Sequence, residues 1–189
     1  IDLVNLPTVT PNEAVAYEPL AAYVRGAGLA ARIEDFPAGL EKHPAYTDNA
    51  RIDPKARRAN VRAELDAPGA KRKVTFNTHF DVVPAGVDFP DAFVGRVDNG
   101  SVVGRGASDS KGHAVMVCEA IRFLRQAGIP IRKRVGLDFV IEEEVGGNGT
   151  LACIASGCDA DEIVVLEGTE LNVYCGHRGC LSFRVDLAG

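Results

Sequence analysis

Imidazole and carboxylate groups stand where four successive apolar runs of this sequence give way to polar residues. The first place is Thr78-His79-Phe80-Asp81-Val82-Val83-Pro84, at the end of the run 74–80. Side chains alternate faces along an extended chain, so His79 and Asp81 point the same way, and an acid beside an imidazole suits a metal-binding histidine whose second nitrogen is held. The second place is Gly104-Arg105-Gly106-Ala107-Ser108-Asp109-Ser110-Lys111-Gly112. Its glycines lack both the third glycine of a dinucleotide fingerprint and the spacing of a phosphate loop, which sets nucleotide binding aside. Such a turn would instead present Asp109 stiffly to a positive group. The third place, Ile141-Glu142-Glu143-Glu144-Val145-Gly146-Gly147, puts three adjacent acids at a strand mouth, where their repulsion demands solvent or a cation. The fourth run ends in Glu167. His79, Asp109, Glu143 or Glu144, and Glu167 form an imidazole-and-oxygen set suited to zinc or a similar divalent ion. Two ions roughly 3.5 to 4 Å apart fit this inventory better than one, because one carboxylate can bridge them while another, left free, acts as general base.

The elements that must carry these residues alternate between helix and strand, which predicts an α/β fold with a mostly parallel sheet flanked by helices. Thr10-Pro11-Asn12-Glu13 reads as a helix start, with Thr10 as N-cap and Glu13 completing a capping box, and the helix runs to about Gly26 or Gly28. Residues 36–59 show no period and read as a long loop. Strands are expected at 60–65, 74–80, 135–141 and 162–166, the last two as apolar runs buried within the sheet. Helical spacing of Ala114, Val117, Ile121 and Leu124 predicts a helix over 113–126, and a shorter one is expected over 148–156. Residues 181–187 alternate apolar and polar, as a half-exposed antiparallel strand does.

Bulk composition narrows the function classes. The 189 residues are 46% hydrophobic and 25% charged, which is ordinary globular composition, and a chain of this size can bury roughly 70% of its unfolded surface. No run approaches the roughly 20 apolar residues of a membrane span, and no secretory signal precedes the first helix. A net charge of −5 argues against nucleic acid as a partner, and the basic clusters at 55–58 and 71–73 read as solvated loop faces. Five cysteines without a CxxC pair suggest free thiols in a reducing, cytoplasmic setting.

These residues resemble a family of di-zinc hydrolases that includes acetylornithine deacetylase, succinyl-diaminopimelate desuccinylase, aminoacylase and glutamate carboxypeptidase. The resemblance rests on His79 to Pro84, Gly104-Arg105-Gly106 to Gly112, Glu143-Glu144 with Gly146-Gly147, Glu167, and Gly176-His177-Arg178-Gly179, in family order over residues 60–189. It implies a zinc-peptidase-like catalytic domain over residues 1–175, with 176–189 as the first strand of an α+β lid through which the full-length protein would form a homodimer. It also implies roles. His79, Asp109, Glu144 and Glu167 would bind two Zn2+ ions, with Co2+ or Mn2+ as alternatives, and Asp109 would bridge them. Glu143 would be the general base, Asp81 would orient His79, and the bond after Asp109 would be cis. Ser110 and His113 depart from the methionine and small residue usual there. Glu142 stands where aspartate is commoner, and a turn shifted by one residue would exchange Glu142 and Glu143. The second-site and lid histidines of the family lie beyond this chain, with His43 and His177 as weak substitutes.

The activity implied is hydrolysis, through a metal-bridging hydroxide, of the amide bond of an N-acyl amino acid or of a peptide's C-terminal residue. A non-catalytic metal-binding fragment and an aminopeptidase of related fold are the alternatives, and this chain alone is expected to be inactive.

Overall fold

The computed structural model describes residues 1–176, 179 and 185–187. A five-stranded sheet runs in the order β1 (Ala30–Asp35), β2 (Ala59–Leu65), β6 (Arg134–Val140), β3 (Lys73–His79), β7 (Glu162–Val165), and β4 (Arg96–Asp98) forms a separate hairpin with β5 (Ser101–Val103). The sheet is mixed. β3 pairs parallel with β6 and β7, whereas β1–β2 and β2–β6 are antiparallel, so the parallel half expected from the sequence is joined to an antiparallel half.

Alternation along the strands sorts the side chains into two layers. Val61, Leu137 and Phe139 face one side, where Leu20, Ala21 and Val24 of α1 (Tyr17–Gly26) and Ala114, Val117 and Ile121 of α2 (Lys111–Gln126) close the main core. The other side carries Asn60, which donates to the carbonyl of Gly149 in α3 (Asn148–Ala155), while Leu151 and Ala152 of α3 pack with Leu40. Helices therefore cover both faces. From β3 the chain crosses by α2 to β6, then returns by α3 over β3 to β7, so the direction of winding reverses beside β3. Open sheets of this kind gather ligands at such a reversal, outside the carboxyl ends of the strands.

Several local expectations are corrected. The first helix begins only at Tyr17, after a short 3-10 turn at Glu13–Ala16. Thr10 is not the cap: the 3-10 turn follows Asn12, which makes no side-chain capping bond. The Thr10–Pro11 peptide is cis. β1 and the β4–β5 hairpin were not anticipated; their residues are largely exposed or half-buried and carry little periodic signal. β7 was expected to be buried, yet Ile163, Val164 and Val165 are exposed at the edge of the described sheet. The expected strand over 181–187 lies largely outside the described residues. Among the described residues, no helix is long and apolar enough to cross a membrane.

Candidate metal centre

Strand register brings the first two groups together. Asn77 is paired with Val165, and two residues further along each strand stand His79 and Glu167. On the other flank His79 is paired with Val140, just before the turn of Glu142, Glu143 and Glu144. The ladder continues past the strand ends, with Phe80 N donating to Val140 O at 3.0 Å and Leu166 N to Asn77 O at 2.8 Å. Asp109 arrives from the loop that opens α2, and the Asp109–Ser110 peptide is cis.

The centre of the cluster is the buried His79 ring. Its Nδ1 lies 2.9 Å from the Asp81 carbonyl oxygen and 3.4 Å from Asp81 Oδ1. Its Nε2 faces three acids: Asp109 Oδ1 at 2.8 Å, Glu167 Oε1 at 3.6 Å and Glu143 Oε2 at 3.8 Å. Burial opposes a charge on this ring, but the bond to Asp81 and the charges of Asp81, Glu143 and Glu167 outweigh it and push the imidazole up to about 10. Asp81 is fully buried. Its two oxygens accept the backbone N–H groups of Glu143 at 3.2 Å and Glu144 at 3.1 Å, which ties the histidine loop to the acidic turn.

Burial also raises the carboxyls of Glu143, Glu144 and Glu167, and the neighbouring acids push in the same direction, only partly offset by His79. Such a group of mutually repelling acids around one imidazole nitrogen is the donor set a divalent cation neutralises. One ligand atom each from His79, Asp109 and Glu167 lies within 4.8 Å of the others, about the size of a coordination shell whose bonds are roughly 2 Å long. The residues present therefore fit a metal of the zinc type. Glu144 lies outside that trio, close enough to Asp109 for its charge to be felt. Glu142 turns away: it is buried and paired with Arg58, so the residue beside His79 is Glu143, with no shift of the turn. His43 is exposed, its Nδ1 accepting from Ala45 N at 3.1 Å, and His177 lies outside the described residues.

Two supports had no role assigned from the sequence. The fully buried Ser110 hydroxyl lies 2.5 Å from Thr78 Oγ1, 3.0 Å from His113 Nδ1 and 3.3 Å from Leu166 O, pinning the Asp109 turn to the ends of β3 and β7. Its position next to the candidate ligand was the only available signal. Lys111, also buried, donates to Leu3 O at 2.9 Å and Leu6 O at 2.6 Å, fastening the N-terminal segment beneath the same turn. Burial lowers its ammonium to about 8.

Sequences and folds similar to this chain occur in known proteins. The whole chain aligns at 28% identity over 203 residues with a probable carboxypeptidase of Emericella nidulans, covering 43% of that protein. A succinyl-diaminopimelate desuccinylase of a Bradyrhizobium species is 33% identical over 168 residues, 85% of this chain and 39% of that one. In fold the chain is similar to a M20 family metallo-carboxypeptidase of Sulfolobus solfataricus, with a TM-score of 0.69 at 21% identity over 87% of this chain and 35% of the other. The chain thus spans less than half the length of these relatives. A model of the peptidase family M20/M25/M40 matches residues 75–178, more than half of the sequence, and the chain belongs to that family.

Proposed function

We propose that this chain is the ion-binding part of a hydrolase that cuts an amide bond beside a carboxylate, in an N-acyl amino acid or at the C-terminal residue of a peptide. The observation that carries the reading is the convergence of Asp109, Glu143 and Glu167 on His79 Nε2, from three separate loops. Membership of a peptidase family, and relatives named as a carboxypeptidase and a desuccinylase, support the amide-bond class.

In this reading His79, Asp109, Glu144 and Glu167 would hold a pair of divalent ions, Zn2+ with Co2+ or Mn2+ as alternatives, with Asp109 contributing to both. When bound, such a pair polarises a carbonyl and acidifies water. Glu143 takes the proton from the attacking water and delivers it to the leaving amine, from a carboxylate 3.8 Å from His79 Nε2. Asp81 acts through His79 and through the two amides it accepts, keeping the imidazole aligned. The four described cysteines are free, which supports a reducing, cytoplasmic setting, and residues 176–189 would lead into a lid that pairs two copies of the full-length protein.

The test combines metal content with hydrolysis of a panel of N-acyl amino acids and C-terminal dipeptides, with and without chelator. Bound metal and chelator-sensitive release of the free amino acid are expected from the full-length protein. A folded sample that takes up no divalent ion would overturn the proposal.

A further inference from the structure

We infer that Arg58, acting with Asn148 through Glu142, is the positioning residue that aims Glu143 and Glu144 at the cluster. This rests on the role given above to those two acids. Glu142 is buried and its backbone lies in the left-handed region, at φ +62°, a conformation that a residue with a Cβ adopts only when its surroundings impose it. Here they do. Arg58 grips both carboxylate oxygens, Nε to Oε1 at 2.5 Å and Nη2 to Oε2 at 2.7 Å, and Asn148 Nδ2 adds a third bond to Oε2 at 2.9 Å.

The grip is itself anchored. The Arg58 guanidinium lies 4.7 Å from the Phe36 ring centroid and 5.6 Å from that of Tyr46. Asn148 exchanges two bonds with the Thr47 backbone, accepting from its N–H and donating to its carbonyl, each at 2.9 Å. Asn49 Nδ2 donates to Val145 O at 3.1 Å, and Thr47 Oγ1 to Gly146 O at 3.1 Å. The long segment between β1 and β2 therefore straddles the acidic turn. Its basic residue Arg58, expected to be solvated, has a side chain only 17% exposed.

The consequence is directional. With the Glu142 side chain pulled toward Arg58 and its backbone reversed, the next two N–H groups meet the two oxygens of Asp81, and the Glu143 carboxylate comes to 3.8 Å from His79 Nε2. Arg58 also supplies Glu142 with its own cation, so the first acid of the run is spent on the turn and its charge stays out of the centre. Charge and a planar two-toothed donor are both required, and a lysine supplies only the first.

Two variants test this: Arg58→Lys, which keeps the charge and loses the fork, and Glu142→Gln, which keeps the shape and loses the charge. The first measurement is amide hydrogen exchange in the metal-free protein. Glu143 and Glu144 amides are expected to exchange roughly ten-fold faster in both variants, with α1 and β2 unchanged. The second is Co2+ titration, where affinity is expected to fall roughly 10- to 100-fold and the visible bands to shift. Should either single variant fail to fold, Arg58→Met combined with Glu142→Gln removes both buried charges together and is expected to keep the same defects. Folded variants with parental exchange at Glu143 and Glu144 and parental Co2+ spectra would overturn the inference while leaving the metal reading intact. Faster exchange in the variants of a protein that binds no Co2+ would do the reverse, upholding the positioning of the turn and sinking the metal reading.

Discussion

Acidic residues crowd both ends of the central sheet, and the two ends treat them in opposite ways. Where β3, β6 and β7 begin, acids are met by basic groups: Lys73 bonds Glu64 at 2.9 Å and Asp159 at 2.6 Å, and Glu162 receives Lys133 at 2.8 Å. Lys73 lowers the Asp159 carboxyl and Lys133 that of Glu162. Within the sheet, Arg62 spans Asp138 and Glu34 in the same manner. Where those strands end, Glu143, Glu144 and Glu167 share one imidazole, and their carboxyls are raised. Acids that share a basic group between neighbouring elements hold those elements together. Acids left in excess of the available basic groups form the set proposed above to hold a cation.

The comparison can be broken by swapping the expectations for its two halves. The largest effect is expected at Glu143→Gln in the full-length enzyme: kcat falls by about 10²- to 10⁴-fold with metal content unchanged, measured by steady-state hydrolysis beside metal analysis. Retained turnover would move the proton-transfer role elsewhere. Next is Arg62→Met, which strands Asp138 in the interior, where its side chain is only 7% exposed. Denaturant unfolding should show a loss of about 3 to 5 kcal/mol, while metal affinity of the folded fraction stays parental.

Glu13 sharpens the contrast, being a buried acid with no basic partner among the described residues, and burial raises it from 4.5 to about 7. The unfolded chain releases this proton near 4.5 and the folded chain near 7, so its cost is absent below the lower value, grows between the two, and is full above the upper. Glu13→Gln is therefore expected to stabilise the protein by up to about 3 kcal/mol at pH 8 and by nothing at pH 4, read from unfolding at both. A gain equal at the two pH values would refute the cause. The smallest effect belongs to Glu18→Ala, which removes a bond to Arg25 between side chains 72% and 48% exposed. Stability should move by no more than about 0.5 kcal/mol.

Much of the scaffold was legible because its signals are local. The buried strands β2, β3 and β6 and the helix α2 emerged from apolar runs and from 3.6-residue spacing, each within a residue or two of its observed bounds. What escaped had weak local signal or a misleading one. β1 reads Ala-Ala-Arg-Ile-Glu-Asp and is only half-buried, so its place is decided by pairing with β2. Thr10-Pro11-Asn12-Glu13 has the letters of a helix cap, but the turn starts behind Asn12 and Glu13 is buried instead of capping. Lys73, grouped with its neighbours as a solvated cluster, is 4% exposed because distant Asp159 and Glu64 compensate it.

By itself the sequence determined the inventory of the centre: a histidine, an aspartate and a run of glutamates, each at the end of an apolar segment, in an order shared with a known family. Residue type and strand periodicity are properties of short stretches, and they survive without knowledge of the fold. Only the tertiary structure decided which acids meet which nitrogen, that Glu142 belongs to Arg58, and that half of the sheet is antiparallel. Those outcomes depend on contacts between residues 30 to more than 80 positions apart, such as His79 with Asp109 and Arg58 with Glu142. Distance in the chain says nothing about such pairs until strand register and the reversal of winding beside β3 bring them within reach.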